Sequence, residues 1–212
     1  MTVTRKPSSE RKAEIVETAI GLADQVGPDR ITTEMIAKAI GVTQATVFRH
    51  FPKKGDIWNS VAVHLTEKMR ESWEKSGPTE GDAVARLEAA VLGHLQLITR
   101  MPALPAILLS RELHGDNAPL RKTLLMTMGS FHQRIADLIA EAVTTETFRQ
   151  DLVASDGALL IIGMIQSLAM RWSIGGRSED LVASGERLLA VQIAGFLAPR
   201  RPVGGVEVGA GP

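Results

Sequence analysis

Cysteine is absent from the 212 residues, which excludes disulfides, thiolate metal sites and cysteine redox sensing. No apolar run reads as long enough to span a bilayer, and the first residues carry no apolar signal core. A cytoplasmic chain with no membrane partner is the expectation. An excess of one charge is also lacking, since 24 Lys and Arg face 24 Asp and Glu. The basic surplus that often marks a nucleic-acid binder is therefore not there in sum. Residues 1–56 nevertheless hold nine basic against seven acidic residues, so a locally basic surface is compatible with a neutral chain. Strand alternation and internal repeats are missing, as are a nucleophile–base motif, a glycine-rich phosphate loop and a paired-acid signature. His94, His114 and His132 do not fall at metal-ligand spacing, and Glu112-x-His114-x-Asp116 reads as a solvated loop entry. The residues imply no enzyme, no metal and no cofactor.

What the sequence does have is helical periodicity. Hydrophobic residues make up 44% of it, ample for a packed core in one domain, or in one and a small extra. Residues 10–26 place Ile15, Ala19, Leu22 and Val26 on one face, with Ser8 or Ser9 as cap and Gly27-Pro28 as stop. Thr32 opens a second helix through Ile36, Ala37 and Ile40, ended by Gly41. Thr43 opens a third through Val47 and Phe51, ended by Pro52. A longer helix carries Trp58, Val61, Leu65, Met69 and Trp73, and Gly77-Pro78 breaks it. Apolar spacing then predicts helices over 82–100, from 103 to about 112, over 118–143, 155–174 and 178–198, with Asn117-Ala118-Pro119 as one start and Ser178-Glu179-Asp180 as another. The prediction is an all-α chain of about nine helices, three short and then about six longer ones. The short helices fall within residues 8–54 and the longer ones within residues 55–198. Residues 1–7 and 199–212 read as flexible tails.

Residues 31–54 carry the function. A hydroxyl cap leaves helix amides free to meet phosphate. Short polar side chains in the first turn reach base edges. Basic groups beyond them hold the backbone. Thr43 is the cap, Gln44 and Thr46 the polar first turn, and Arg49, His50, Lys53 and Lys54 the flanking donors. Ala45 is small enough for close approach against a thymine methyl.

The run Thr32-Thr33-x-x-Ile36-Ala37-x-x-Ile40-Gly41-Val42-Thr43-x-Ala45-Thr46-Val47-Phe48-Arg49-His50-Phe51-Pro52-x-Lys54 strongly resembles the tetracycline-repressor (TetR) family of bacterial regulators, over about residues 10–58. The resemblance implies an N-terminal three-helix, helix-turn-helix DNA-binding domain over residues 8–54, a ligand-binding and dimerisation bundle over residues 55–198, and a homodimer joined by the helices at about 155–174 and 178–198, bound to double-stranded DNA at a palindromic operator. By position it makes Thr32 and Thr33 part of the DNA-facing set, with Thr32 as a cap in reach of phosphate. Thr43, Phe48, His50 and Lys54 hold the backbone, and Gln44, Ala45, Thr46 and Arg49 read bases. The chain departs from the family pattern in three places. Phe48 stands where tyrosine is usual and loses a hydroxyl contact. Met35 stands where an acidic capping-box partner is common. Lys53 stands where serine often caps the fourth helix; it cannot accept the amide bonds but adds a phosphate contact.

In the second half, apolar residues exceed what one buried face needs. Met101, Leu104, Ile107, Leu108, Met126, Met128, Phe131 and Met164 are candidates to line a cavity, methionine suiting a pocket that adapts. His94, His132, Gln166 and Arg171 are candidate polar groups within it. Trp73 and Met170 complete the expected ligand set of Trp73, His94, Met101, Leu104, Leu108, Met128, Phe131, His132, Gln166 and Met170. Gly163, Ser167, Ala169, Ala183 and Gly185 permit close helix approach, across a dimer or within one chain. The expected function is a regulator released from DNA by a small apolar ligand. The alternatives are a DNA-binding protein of the same fold without small-molecule control, and a small all-α enzyme.

Overall fold

The computed structural model describes residues 6–75, 81–115 and 117–198, apart from the side chain of Glu112. Among the described residues there are ten α-helices and no named strand. They are α1 Ser8–Val26, α2 Thr33–Ala39, α3 Gln44–His50, α4 Lys54–Lys75, α5 Ala83–Arg100, α6 Ala103–Leu109, α7 Arg111–Gly115, α8 Ala118–Thr144, α9 Ala154–Ile174 and α10 Leu181–Phe196. The all-α expectation holds. The Gly77-Pro78 break, the tail from Pro199 and most of the N-terminal arm lie outside the described residues.

Local chemistry sets the boundaries. Thr32, Asp82, Asn117 and Asp180 each accept an amide from the third residue into the following helix, at 3.1, 2.7, 3.2 and 3.0 Å, which satisfies donors the helix cannot. Gly41 closes α2 with φ +68°, a left-handed conformation that glycine adopts without steric cost. At α1 neither serine caps. Pro7 holds the cap position without a side-chain bond, and the Ser8 hydroxyl lies 3.3 Å from His50 Nδ1 on α3 instead.

One expected helix is two. The apolar run after Pro102 breaks at Ser110, whose Oγ accepts the Leu113 amide at 3.1 Å and donates to Asp29. That bond ties the α6–α7 junction to the short 3-10 turn Pro28–Arg30 after α1. Just before it, α5 and α6 meet at 98°.

The expectation about apolar length is corrected at α9. Its 21 residues reach a mean hydropathy of 1.4 and are long and apolar enough to cross a membrane by length and composition. In this fold the helix packs on α8 and α10. Only 33% of its apolar window is buried within the chain, however, and Leu159, Leu160 and Ile174 are more than half exposed. Gly185 is not part of that open face. A Cβ there would run into Leu95 Cδ1, so this glycine lets α10 approach α5 within one chain.

Candidate DNA interface and effector cavity

Helix α3 is seated by one face and open on the other. Val47 is fully buried and Phe51 nearly so, and their four-residue spacing puts both on one side. Thr43, Gln44, Ala45, Phe48 and Arg49 are exposed, with Thr46 and His50 half-buried. Thr43 caps α3, its Oγ1 lying 3.3 Å from the Thr46 amide and 3.0 Å from the Thr46 hydroxyl. Gln44 is already held. Its Nε2 donates to Thr33 Oγ1 at 2.7 Å, leaving Oε1 and the second N–H outward. Thr32, Lys53 and Lys54 are exposed around this face. At position 53, where a serine would accept a first-turn amide, the reciprocal half of a capping box forms: Asp56 Oδ2 accepts the Lys53 amide at 3.0 Å.

A second feature lies in the bundle. An apolar cavity of about 70 Å³ is lined from α4 by Met69, from α5 by His94 and Ile98, and from α6 by Leu104, Pro105, Leu108 and Leu109. Met128 and Phe131 of α8 and Ile162, Ile165, Gln166 and Ala169 of α9 close it. Its back wall is an aromatic stack. Phe131 lies 4.5 Å from the His94 ring and 5.0 Å from Trp73, near parallel to both, a favourable offset for ring quadrupoles. The Trp73 indole N–H donates to His94 Nδ1 at 3.2 Å. Burial lowers the His94 pKa to about 4, because desolvation disfavours the imidazolium.

That shift has a measurable consequence. With a folded-state pKa below the ordinary 6.5, the unfolded chain takes up the proton first. The contribution of neutral His94 is therefore fully present above pH 6.5 and is lost as pH falls toward 4. On the order of 3 kcal/mol depends on that window. Urea unfolding of His94→Gln is expected to show a smaller loss of stability between pH 7 and pH 4.5 than the parent. An equal loss in both would remove His94 as the source.

Residues 15–61, from within α1 to within α4, match the family described as bacterial regulatory proteins, tetR family. Those residues are a tetR-family DNA-binding segment. A nucleoid occlusion factor, SlmA, of Marinobacter nauticus is 28% identical over 174 residues, covering 79% of this chain and 85% of that protein. A transcriptional regulator from Saccharomonospora viridis, solved in complex with choline, superposes with a TM-score of 0.80 at 24% identity, covering 91% of this chain and all of that one. The regulator FadR from Bacillus subtilis, solved with stearoyl-CoA, gives 0.69 at 20% identity over 87% and 98% of the two chains. The solved neighbours share the fold and are described as transcriptional regulators.

With the tetR-family motif in place, most residues of the expected DNA set surround the exposed side of α3, and one does not. Thr33 is buried. As the first residue of α2 it turns inward and accepts Gln44, which makes it a positioning residue. The cavity takes six of its ten expected residues: His94, Leu104, Leu108, Met128, Phe131 and Gln166. Trp73 stands behind the wall, touching His94 and Phe131. Met101 sits at the α5–α6 bend and faces the cleft beside Glu17 and Ile20 of α1. His132 and Met170 each follow a lining residue, Phe131 and Ala169, by one position, which rotates them about 100° away. His132 bonds the Ser155 carbonyl at 3.2 Å, and Met170 is half exposed. The missed lining residues had a signal. Ile98 lies one turn from His94, Ile162 and Ala169 lie one turn from Gln166, and Ile165 lies one turn from both Ile162 and Ala169.

Proposed function

We propose that this tetR-family DNA-binding regulator is a homodimeric repressor released from a palindromic operator by a small apolar molecule. Residues 8–54 would form the reading unit and residues 55–198 the effector and dimerisation unit. The observation that carries the reading is the exposed, capped face of α3 in the same chain as an apolar cavity. Two α3 helices, one per protomer, would enter successive major grooves about 34–36 Å apart. Its place of action would be the cytoplasm, with the DNA. The likeness to regulators solved with choline and with stearoyl-CoA supports an effector in the bundle.

The fold supplies a route between the two sites. Leu108 and Leu109 border the cavity and precede Ser110, which holds Asp29 behind α1. Arg177, between α9 and α10, pairs with Asp24 of α1 through two N–H groups. Asn117 donates to the Gly55 carbonyl at the start of α4, at 3.1 Å. A ligand that displaces α6 would pull on the reading unit at Asp29. Since it must favour one state to shift it, DNA and ligand would weaken each other reciprocally.

The division of labour on DNA is tested by substitution. Gln44→Ala and Thr46→Ala are expected to cost about 1–3 kcal/mol on the preferred operator and to relax sequence preference. Lys54→Ala is expected to weaken all duplexes alike and to flatten the salt slope. If both kinds of variant shift every duplex equally, the assignment fails. The likeness to a nucleoid occlusion factor favours a second reading, a DNA-bound protein without small-molecule control. Operator binding that no apolar compound alters would select it.

A further inference from the structure

The cavity is lined by two polar residues, His94 and Gln166, and by no charged one. Trp73 Nε1–H can only donate, so the His94 Nδ1 that faces it at 3.2 Å must be the unprotonated acceptor. The neutral ring then carries its proton on Nε2. No bond from that nitrogen is seen among the described residues, and it is not one of the fully enclosed unpartnered polar atoms, so it keeps an opening; His94 is 6% exposed overall and lines the cavity. An N–H in such a place costs stability unless something accepts it. The remaining lining is apolar except for Gln166, which is exposed at the rim. No Lys, Arg, Asp or Glu is among the lining residues, so neither a carboxylate nor an ammonium group would find a counter-charge inside.

We propose that the effector is an apolar molecule bearing an uncharged carbonyl group, whose oxygen accepts the Nε2–H of the lining residue His94. This rests on the bundle being the effector site. The cavity of about 70 Å³ is smaller than pockets that enclose small ligands, which run to about 300–1,000 Å³. The ligand therefore widens it as it enters. Met69 and Met128, unbranched and adaptable, and the short helix α6, joined to α5 at 98° and to α7 at the Ser110 break, are the parts that give. Trp73 fixes the tautomer from α4, the helix that follows α3, so the acceptor is read by a side chain of the element that leads to the DNA-reading unit.

The test uses the full chain, with 1-N-phenylnaphthylamine as an uncharged fluorescent occupant displaced by four compounds of similar shape. These are acetophenone, isopropylbenzene, benzoate and phenyltrimethylammonium. His94→Leu is expected to weaken acetophenone by about tenfold, and isopropylbenzene by less than about twofold because it has no acceptor to lose. His94→Gln offers an acceptor to Trp73 and a donor to the ligand, and is expected to restore most of the acetophenone affinity. Benzoate and phenyltrimethylammonium are expected not to compete at matched concentrations.

Equal weakening of acetophenone and isopropylbenzene, or benzoate competing as well as acetophenone, would overturn the assignment while leaving the cavity as the effector site. Failure of the dye and all four compounds to bind the parent protein would overturn the effector site itself. A readout independent of any variant is the side-chain ¹⁵N spectrum of the parent protein. His94 protonated on Nε2, with that resonance moving on addition of acetophenone and not of isopropylbenzene, supports the proposal; protonation on Nδ1 defeats it.

Discussion

Val191→Glu is expected to leave a folded monomer that binds a two-half-site operator at least about a hundredfold more weakly than the parent protein. Val191 is 69% exposed near the middle of α10, beside Leu188 at 45%. On α9, Leu159, Leu160, Met170 and Ile174 are exposed as well, and a Cβ added to Gly163 would meet nothing within 4 Å. Monomeric proteins seldom keep so continuous an apolar face. A second copy of the same face is the simplest cover, because a twofold interface needs only self-complementarity. Glutamate suits a helix better than valine and would remain in water in the monomer, so folding is expected to be intact. In the dimer it would be buried twice, each time without a partner, at a cost of several kcal/mol. Without the partner, each reading unit would meet its half-site alone and the second contact would no longer be intramolecular. Sedimentation together with anisotropy titration of operator DNA tests this. A dimer of parental affinity would place the interface elsewhere.

How far the fold could be read from residues depends on the range of the forces that set each element. The turn between α2 and α3 was legible because each determinant is local: Thr32, Thr43 and Gly41 act within four residues of themselves. The break at Ser110 was not. The serine interrupts an apolar run without a glycine or proline, and its second partner, Asp29, is 81 residues away. The same limit applies to α9, where the apolar residues within reach of α8 and those left open look alike in composition. On α3 the exposed positions follow from the spacing of Val47 and Phe51, but Thr33, next to the exposed Thr32, is turned inward by the packing of α2 on α3. In the cavity, residue type located His94 and Gln166, whereas helical phase, applied strictly, would have excluded His132 and Met170 and added Ile162 and Ala169.

Ala45→Glu is expected to abolish measurable specific binding, a loss beyond about a hundredfold, without unfolding the protein. Ala45 is the second residue of α3 and is exposed, so no core contact is removed. An acidic side chain in the first turn of a helix interacts favourably with the helix dipole, by about 0.3–1 kcal/mol at the surface, and α3 has no acid there now. The thermal midpoint is therefore expected to stay level or to rise slightly. On DNA, in the proposed reading, the same carboxylate would face the phosphates that the α3 amides and Lys54 would meet. It would lose water without gaining a donor, and it would fill the space that alanine leaves for close approach of the helix to base edges. The two copies in a dimer would suffer this together. Ala45→Ser, small and uncharged, is expected to bind within about fivefold of the parent, each base contact being worth only about 1–3 kcal/mol. Anisotropy titrations of both variants at matched salt, with circular dichroism melts alongside, decide the matter. An Ala45→Glu protein that binds like its parent would mean that α3 does not enter the groove by this turn, and the assignment of Gln44 and Thr46 as readers would fall with it.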